Sequence, residues 1–410
     1  MLTGDSAYYL DEKSESYTGL RSNLIGGWAI LPNVQLDHTR ENIGVYGQAE
    51  YDFTEALTLT FGVRWSDETV AGDYRPSRPR VVGIADTTPL HAADVNALVA
   101  AQNPGGPAFD ADGFELARQV SQKLQNDDFG FTVKLDYQFG ANDLVYVSFA
   151  RGFKGAALDI RAAFALVPVN NVLQGLEDSR LEPESLDAWE IGYKASYWDN
   201  RVQFDSAVFY YSYDNLQQFI TFQGIPTLDN APKSEIYGFD ANIKFANQSG
   251  FYSQAGITYL QSKVTEAGDS EFIEGAPLAN SPTWSVMALA AQDFTIGDGV
   301  LTVMGNLSYT AKQASETLTA ATQPVKNPLT VAGYTIINAN LNYRFGNAQQ
   351  IKLGVYANNL LDKHFCQGIR TSDTANLALP GNAGRHHGNL TCLVNDATVR
   401  TFGVNFGYAF

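Results

Sequence analysis

The chain has 410 residues, a formal net charge of −17, 17% charged residues and 12% aromatic residues. Soluble domains carry roughly 25% charged residues, and a nucleic-acid binder needs clustered Lys and Arg to meet phosphates, so the composition argues against both classes. No run of about 18 apolar residues occurs, which excludes a membrane-spanning helix, and the opening MLTGDSAYYLDEKSES has neither the basic nor the apolar part of a secretory leader.

Residues 1–41 read mainly as an extracellular loop region with room for a partial strand near 7–10. The stretch LIGGWAI places Trp28 there as an aromatic candidate for a ligand entry. Regular alternation begins at Asn42. Ile43, Val45, Ala49, Tyr51 and Phe53 alternate with Gly44, Tyr46, Gln48 and Glu50, and after a short DFTEA turn Leu57, Leu59, Phe61, Val63 and Trp65 alternate with polar residues. Successive side chains on a strand point to opposite faces, so this is a hairpin of two long half-apolar strands.

A polar excursion at about 67–127 carries Pro76, Pro79, Pro89, Pro104 and Pro107, with short helices expected at 92–101 and 114–124. Further hairpins are predicted at 129–139 with 144–153, 189–197 with 202–213, 235–245 with 251–264, 283–294 with 300–312, and 334–345 with 351–364. The last strand, 398–410, ends TVRTFGVNFGYAF and puts Phe402, Val404, Phe406, Tyr408 and Phe410 on one face. The total is about 13 strands of about 10 residues, the length a tilted membrane strand needs.

Short turns alternate with long loops, as in outer-membrane barrels with short periplasmic turns and longer extracellular loops. The inward row Asn338, Asn340, Asn342 and Arg344 fits the same picture, because in a dry core unpaired polar groups cost several kcal/mol. In 283–294, Met287 and Leu289 fall on the parity expected to face inward, which leaves that register open. The fold expected is all-β: an antiparallel transmembrane β-barrel, partial, with about 13–14 long strands of a larger barrel. The barrel part is expected at 42–410.

No catalytic constellation stands out, and no enzyme activity, cofactor or metal centre is expected. Glu182 with Glu184 and Asp127 with Asp128 sit at strand entries and need no catalytic role. GRHHGNLTC carries Arg385, His386 and His387 in the last long loop; two adjacent His are too few for a closed metal site, but with Arg385 they can meet an anionic chelate. Cys366 and Cys392, in the same loop, are expected to pair as the cysteines of an exported protein do.

Several stretches resemble TonB-dependent outer-membrane receptors. VYVSFARGFK at 145–154 resembles the strand that enters a long extracellular loop in that family, and LEPESLDAWEIGYK at 181–194 resembles the strand that follows. GFD at 238–240, SPTW at 281–284, NNLLDKHF at 358–365 and the terminal aromatic strand match later stations in order. The resemblance implies a barrel of about 22 strands with a plugged lumen, located in the bacterial outer membrane, taking up a scarce nutrient, most often a ferric siderophore. It implies three partners: outer-membrane lipid, the TonB energy-coupling system, and a ferric chelate or other small nutrient. Nothing in the chain resembles the family's plug or TonB-contacting segment, so the expectation is the carboxy-terminal part of such a barrel, with Met1 either not the true start or the start of a piece. A passive, unplugged diffusion channel closing with about 14 strands and a soluble β-protein are the alternatives.

Overall fold

The computed structural model describes residues 28–83, 120–159, 168–169, 172–173, 180–222, 225–319, 329–371, 390–394 and 398–409. Thirteen long strands form one sheet in strict sequence order. They are β1 (Trp28–Thr54), β2 (Leu57–Gly83), β3 (Val120–Gln138), β4 (Asp143–Lys154), β5 (Glu184–Tyr197), β6 (Val202–Phe222) and β7 (Ile225–Ala246). β8 (Phe251–Glu266), β9 (Trp284–Ile296), β10 (Gly299–Thr310), β11 (Tyr334–Phe345), β12 (Ile351–Asn358) and β13 (Thr401–Tyr408) complete it. Each strand pairs antiparallel with its sequence neighbour.

The predicted strand centres hold, but several strands run past their predicted ends. β1 starts at Trp28 rather than near 42, and β2 and β3 continue into both ends of the stretch read as a loop, to Gly83 and from Val120. Residues 120–124, placed in a helix by the sequence pattern, belong to β3; the helix expected at 92–101 lies outside the described residues. β6 and β7 likewise extend far beyond 213 and 235. The reason is physical. The ladder of backbone hydrogen bonds persists above the membrane, but both faces of the strands there meet water or loop, so apolar alternation fades while pairing continues. β12 shows the reverse and stops at Asn358. Asn359 turns the chain with φ 49, and its side chain closes the turn by accepting from Lys363 N at 2.8 Å and donating to Lys363 O at 3.0 Å.

The outer face carries the apolar rows. Phe402, Val404 and Phe406 are 67%, 76% and 70% exposed, which in lipid is burial rather than exposure. Aromatic pairs rim the band, with Phe149 and Trp189 ring centroids 4.4 Å apart and Tyr259 and Trp284 4.8 Å apart. Two pairing steps above Phe149 and Trp189, Arg151 Nε donates to Asp187 Oδ1 at 2.5 Å. Near Tyr237, Glu235 accepts from Tyr210 at 2.9 Å and lies 3.4 Å from Lys263. Charges on the lipid side in these positions mark the headgroup level.

Short turns at 55–56, 139–142, 198–201, 247–250, 297–298 and 346–350 all lie at one end. The turn after β5 puts Trp198, Asp199 and Asn200 at φ 54, 55 and 63. Register also places Met287 opposite Gly256 and Leu289 opposite Gln254, so both share the inward face. β1 and β13 run in the same direction, toward the short turns, because the sheet has an odd number of strands.

Candidate functional site

Two features are built on the inward and extracellular sides of this sheet. The inward face divides sharply between β7 and β8. On β2 to β7 the inward positions carry fixed charge, organised around Tyr146 of β4. Its ring lies across Gly192 of β5, where any Cβ would collide with it. Lys134 Nζ stands 5.0 Å and Lys194 Nζ 5.5 Å from the ring centroid, and the hydroxyl donates to Glu190. Lys134 also lies 2.6 Å from Asp136, and Asp205 accepts from Asn242 Nδ2 at 3.0 Å beside inward Asp240. Gly192 is needed here because the ring occupies the neighbouring strand's side-chain space.

On β8 to β13 the inward positions hold no Asp, Glu, Lys or Arg apart from Asp293, Arg344 and Lys352 beside the short turns. Amides take their place. Asn338 Nδ2 donates to Asn306 Oδ1 at 2.8 Å, its own oxygen accepts from Asn359 N at 2.9 Å, and Asn342 donates to Asn340.

Above the charged half, at the extracellular end of β1 to β4, lies a cavity of about 690 Å³ lined among others by Arg40, Asn42, Tyr46, Arg64, Glu68 and Lys154. Arg40 pairs with Glu68, and Arg64 Nε donates to Ser66 Oγ at 3.0 Å. The chain leaving β4 folds back onto this wall: Gly155 presses against the Glu68 carboxylate, where a Cβ would collide, and Ala156 N donates to Asn126 Oδ1 at 3.2 Å. Lys154 Nζ is 4.0 Å from Glu184. With Arg151, four cations line the cavity against one lining carboxylate, Glu68, a balance that favours an anion.

The upper parts of β6 and β7 form a post for the loops. Gln217 Nε2 donates to Gly155 O and Glu182 O, both at 3.0 Å, and its backbone N donates to Glu184 Oε2 at 2.9 Å. Asn230 Nδ2 donates to Glu182 O at 3.1 Å, and Leu228 N donates to Asp159 Oδ2 at 2.7 Å. The two roots of the loop after β4 are therefore held through backbone groups. Gln218 accepts from Thr317, and Thr317 Oγ1 accepts from Ala279 N at 2.9 Å, which ties in the loops after β8 and β10. A buried cluster of Leu216, Ile220, Ala231, Val264, Phe272 and Leu278 lies beneath. Asp229, in the upper part of β7, has its carboxyl pushed above the usual range by burial, against the pull of the Asn230 and Glu271 amides.

Cys366 and Cys392 are bonded, with S–S 2.05 Å, and their arms Gly368–Thr371 and Leu390–Leu393 pair as a short ribbon. Ser315 Oγ accepts from Ile369 N at 2.9 Å and joins this ribbon to the loop after β10. Arg385, His386 and His387 lie outside the described residues, between the two arms. Trp28 opens β1. The sequence reading missed Arg40, Arg64 and Lys154. The available signal was parity: Arg64 alternates with Val63 and Trp65 and so had to point inward.

A family model described as "TonB dependent receptor-like, beta-barrel" matches residues 2–360. The probable TonB-dependent siderophore receptor PiuA of Acinetobacter baumannii is 22% identical over 263 residues, 61% of this chain and 32% of that protein. The ferric yersiniabactin uptake receptor FyuA of Yersinia pestis superposes with a TM-score of 0.65 at 17% identity, covering 93% of this chain and 47% of that one. The closed form of the ferric-catecholate import receptor Fiu of E. coli K12 gives a TM-score of 0.61 at 14% identity, covering 92% and 46%. The chain thus spans about a third of the curated relative and about half of the two solved receptors.

Proposed function

The chain belongs to the TonB-dependent receptor-like β-barrel family of the bacterial outer membrane, and on that premise we propose that it forms receptor wall through which a ferric siderophore is taken up. The observation that carries this reading is the cationic cavity of Arg40, Arg64 and Lys154 at the extracellular end of β1 to β4. Iron chelates of this class are commonly anionic, and a cleft lined by cations raises their local concentration. A second contact is proposed from Arg385, His386 and His387, which fall in sequence between the paired arms Gly368–Thr371 and Leu390–Leu393. Trp28, at the extracellular start of β1, is proposed to border the same entry. Energy coupling would come from TonB acting on a gate in the lumen, and the inward cluster of Glu190, Asp205 and Asp240 suits a lumen-filling body that carries cations.

The passive-channel reading meets a topological obstacle. β1 and β13 run in the same direction, so among the described residues the thirteen strands cannot close on one another antiparallel, and open edges in lipid cost several kcal/mol per unsatisfied group. The test is uptake of radiolabelled ferric catecholate and ferric hydroxamate by the producing bacterium with and without its gene for this protein. Loss of uptake of one chelate in the deletion strain, and in the parent after a protonophore, is the expected result. Uptake that survives the protonophore and depends on solute size alone would establish the passive channel instead. Arg64→Glu should weaken cell-surface binding of the chelate that is taken up.

A further inference from the structure

The inward wall of β8 to β13 bears on how a solute moves once it has left the cavity. A solute attracted by Arg40, Arg64 and Lys154 is anionic. Further along the wall, on β5 to β7, it would face the neighbouring carboxylates Glu190, Asp205 and Asp240. A like charge there raises a barrier, while the exposed lysines beside them would act as traps. The neutral wall presents neither.

We propose that the β8–β13 wall is the lining along which the solute passes, and that it serves an anionic, hydrogen-bonding solute through the amide row Gln254, Asn306, Asn338, Asn340, Asn342 and Asn405. This rests on the uptake reading above and adds the route. Each amide offers two donors and an acceptor, so it exchanges hydrogen bonds with a hydrated solute whatever the solute's orientation. Passage requires contacts favourable enough to enter and weak enough to leave, and a row of neutral sites meets both demands. When the solute moves on, four of the amides return to one another: Asn338 donates to Asn306 at 2.8 Å and Asn342 donates to Asn340. Register carries the row across strands. Asn306 faces Asn338, and Asn342 faces Gly354, which faces Asn405. The Asn342 and Asn405 oxygens lean over Gly354, where a Cβ would collide with both, so the lining there stays low.

Cysteine accessibility in intact cells of the producing bacterium tests the route without needing energised transport. Asn340→Cys and Asn405→Cys report on the neutral wall, and Ser148→Cys and Asn242→Cys on inward positions of the charged wall beside Glu190 and Asp205. The native cysteines are bonded to each other and add no background. The probe is a sulfonated, membrane-impermeant methanethiosulfonate, with total thiol counted after denaturation; two positions on each wall guard against a variant that fails to assemble. Residues 340 and 405 should react about tenfold faster than 148 and 242, the scale on which a local electrostatic field changes encounter rates. The cationic ammonium analogue should narrow that difference. Equal or faster reaction at 148 and 242, or no reaction at 340 and 405, overturns the proposal, as does a difference that ignores the reagent's charge. Because labelling does not depend on uptake, it can fail while chelate uptake holds, and hold while uptake fails.

Discussion

The two halves of the inner wall are built from the same strand geometry, yet they solve the problem of polar groups inside a barrel differently. In β2 to β7 the groups are mutually dependent: Tyr146 sits over Gly192, flanked by Lys134 and Lys194, and is bonded to Glu190. In β8 to β13 they are small, neutral and interchangeable, with amides that satisfy one another in pairs. Fixed charges in a low-dielectric wall hold position strongly and tolerate little change. Neutral amides hold weakly and tolerate much. The outer face shows no such division, since lipid imposes one demand on both halves.

The largest expected effect tests that last point. Val404→Arg on β13 and Ile191→Arg on β5 should each destabilise the folded protein by about 2–4 kcal/mol if they lie near the midplane, while inward Asn405→Arg should be far milder. Denaturant titration in lipid vesicles measures it, and equal damage at 404 and 405 would contradict the assigned faces. Next comes the ribbon closed by Cys366 and Cys392. Opening a bridge with sequence separation 26 should remove about 3 kcal/mol of ordering from that loop by the chain-entropy estimate. Maleimide labelling of the unreduced, denatured protein should find no free thiol, and two reactive thiols would end the idea.

The division between the walls itself is probed by a smaller pair of changes. Glu190→Ala strands the Tyr146 hydroxyl, so a loss of about 1–3 kcal/mol is expected. Asn405→Ala on the neutral wall should stay within about 0.5 kcal/mol. Comparable losses from the two would erase the contrast. The smallest effect belongs to the upper part of β7. The Asp229 carboxyl is raised by burial, so its ionised form costs the folded state; that cost is absent below the unfolded pKa and grows as pH rises through the folded one. Asp229→Asn should therefore slow hydrogen exchange slightly at Asn230 and Glu271 at neutral pH and change little in acid. Faster exchange at neutral pH would show the carboxylate to be the better acceptor.

Much of this molecule was legible from sequence alone, and the reason is the membrane. Lipid outside and polar contents inside force a period of two on every crossing, so Phe402, Val404 and Phe406 against Gly403 and Asn405 declare strand, face and direction together. The predicted thirteen strands, their turns and their order follow from that single constraint. Above the membrane the constraint lapses. There β1, β2, β3, β6 and β7 continue on backbone pairing alone, which no side-chain pattern reports, and their true lengths came only from the tertiary structure. The cavity has the same origin. Arg40, Arg64 and Lys154 are far apart in sequence and meet because three strands and the segment after β4 converge, with Gly155 folded onto Glu68. Sequence could give Arg64 its face but not its neighbours. Parity is a local property of a strand, whereas the joining of three cations around one space depends on cross-strand register and on where a returning loop comes to rest.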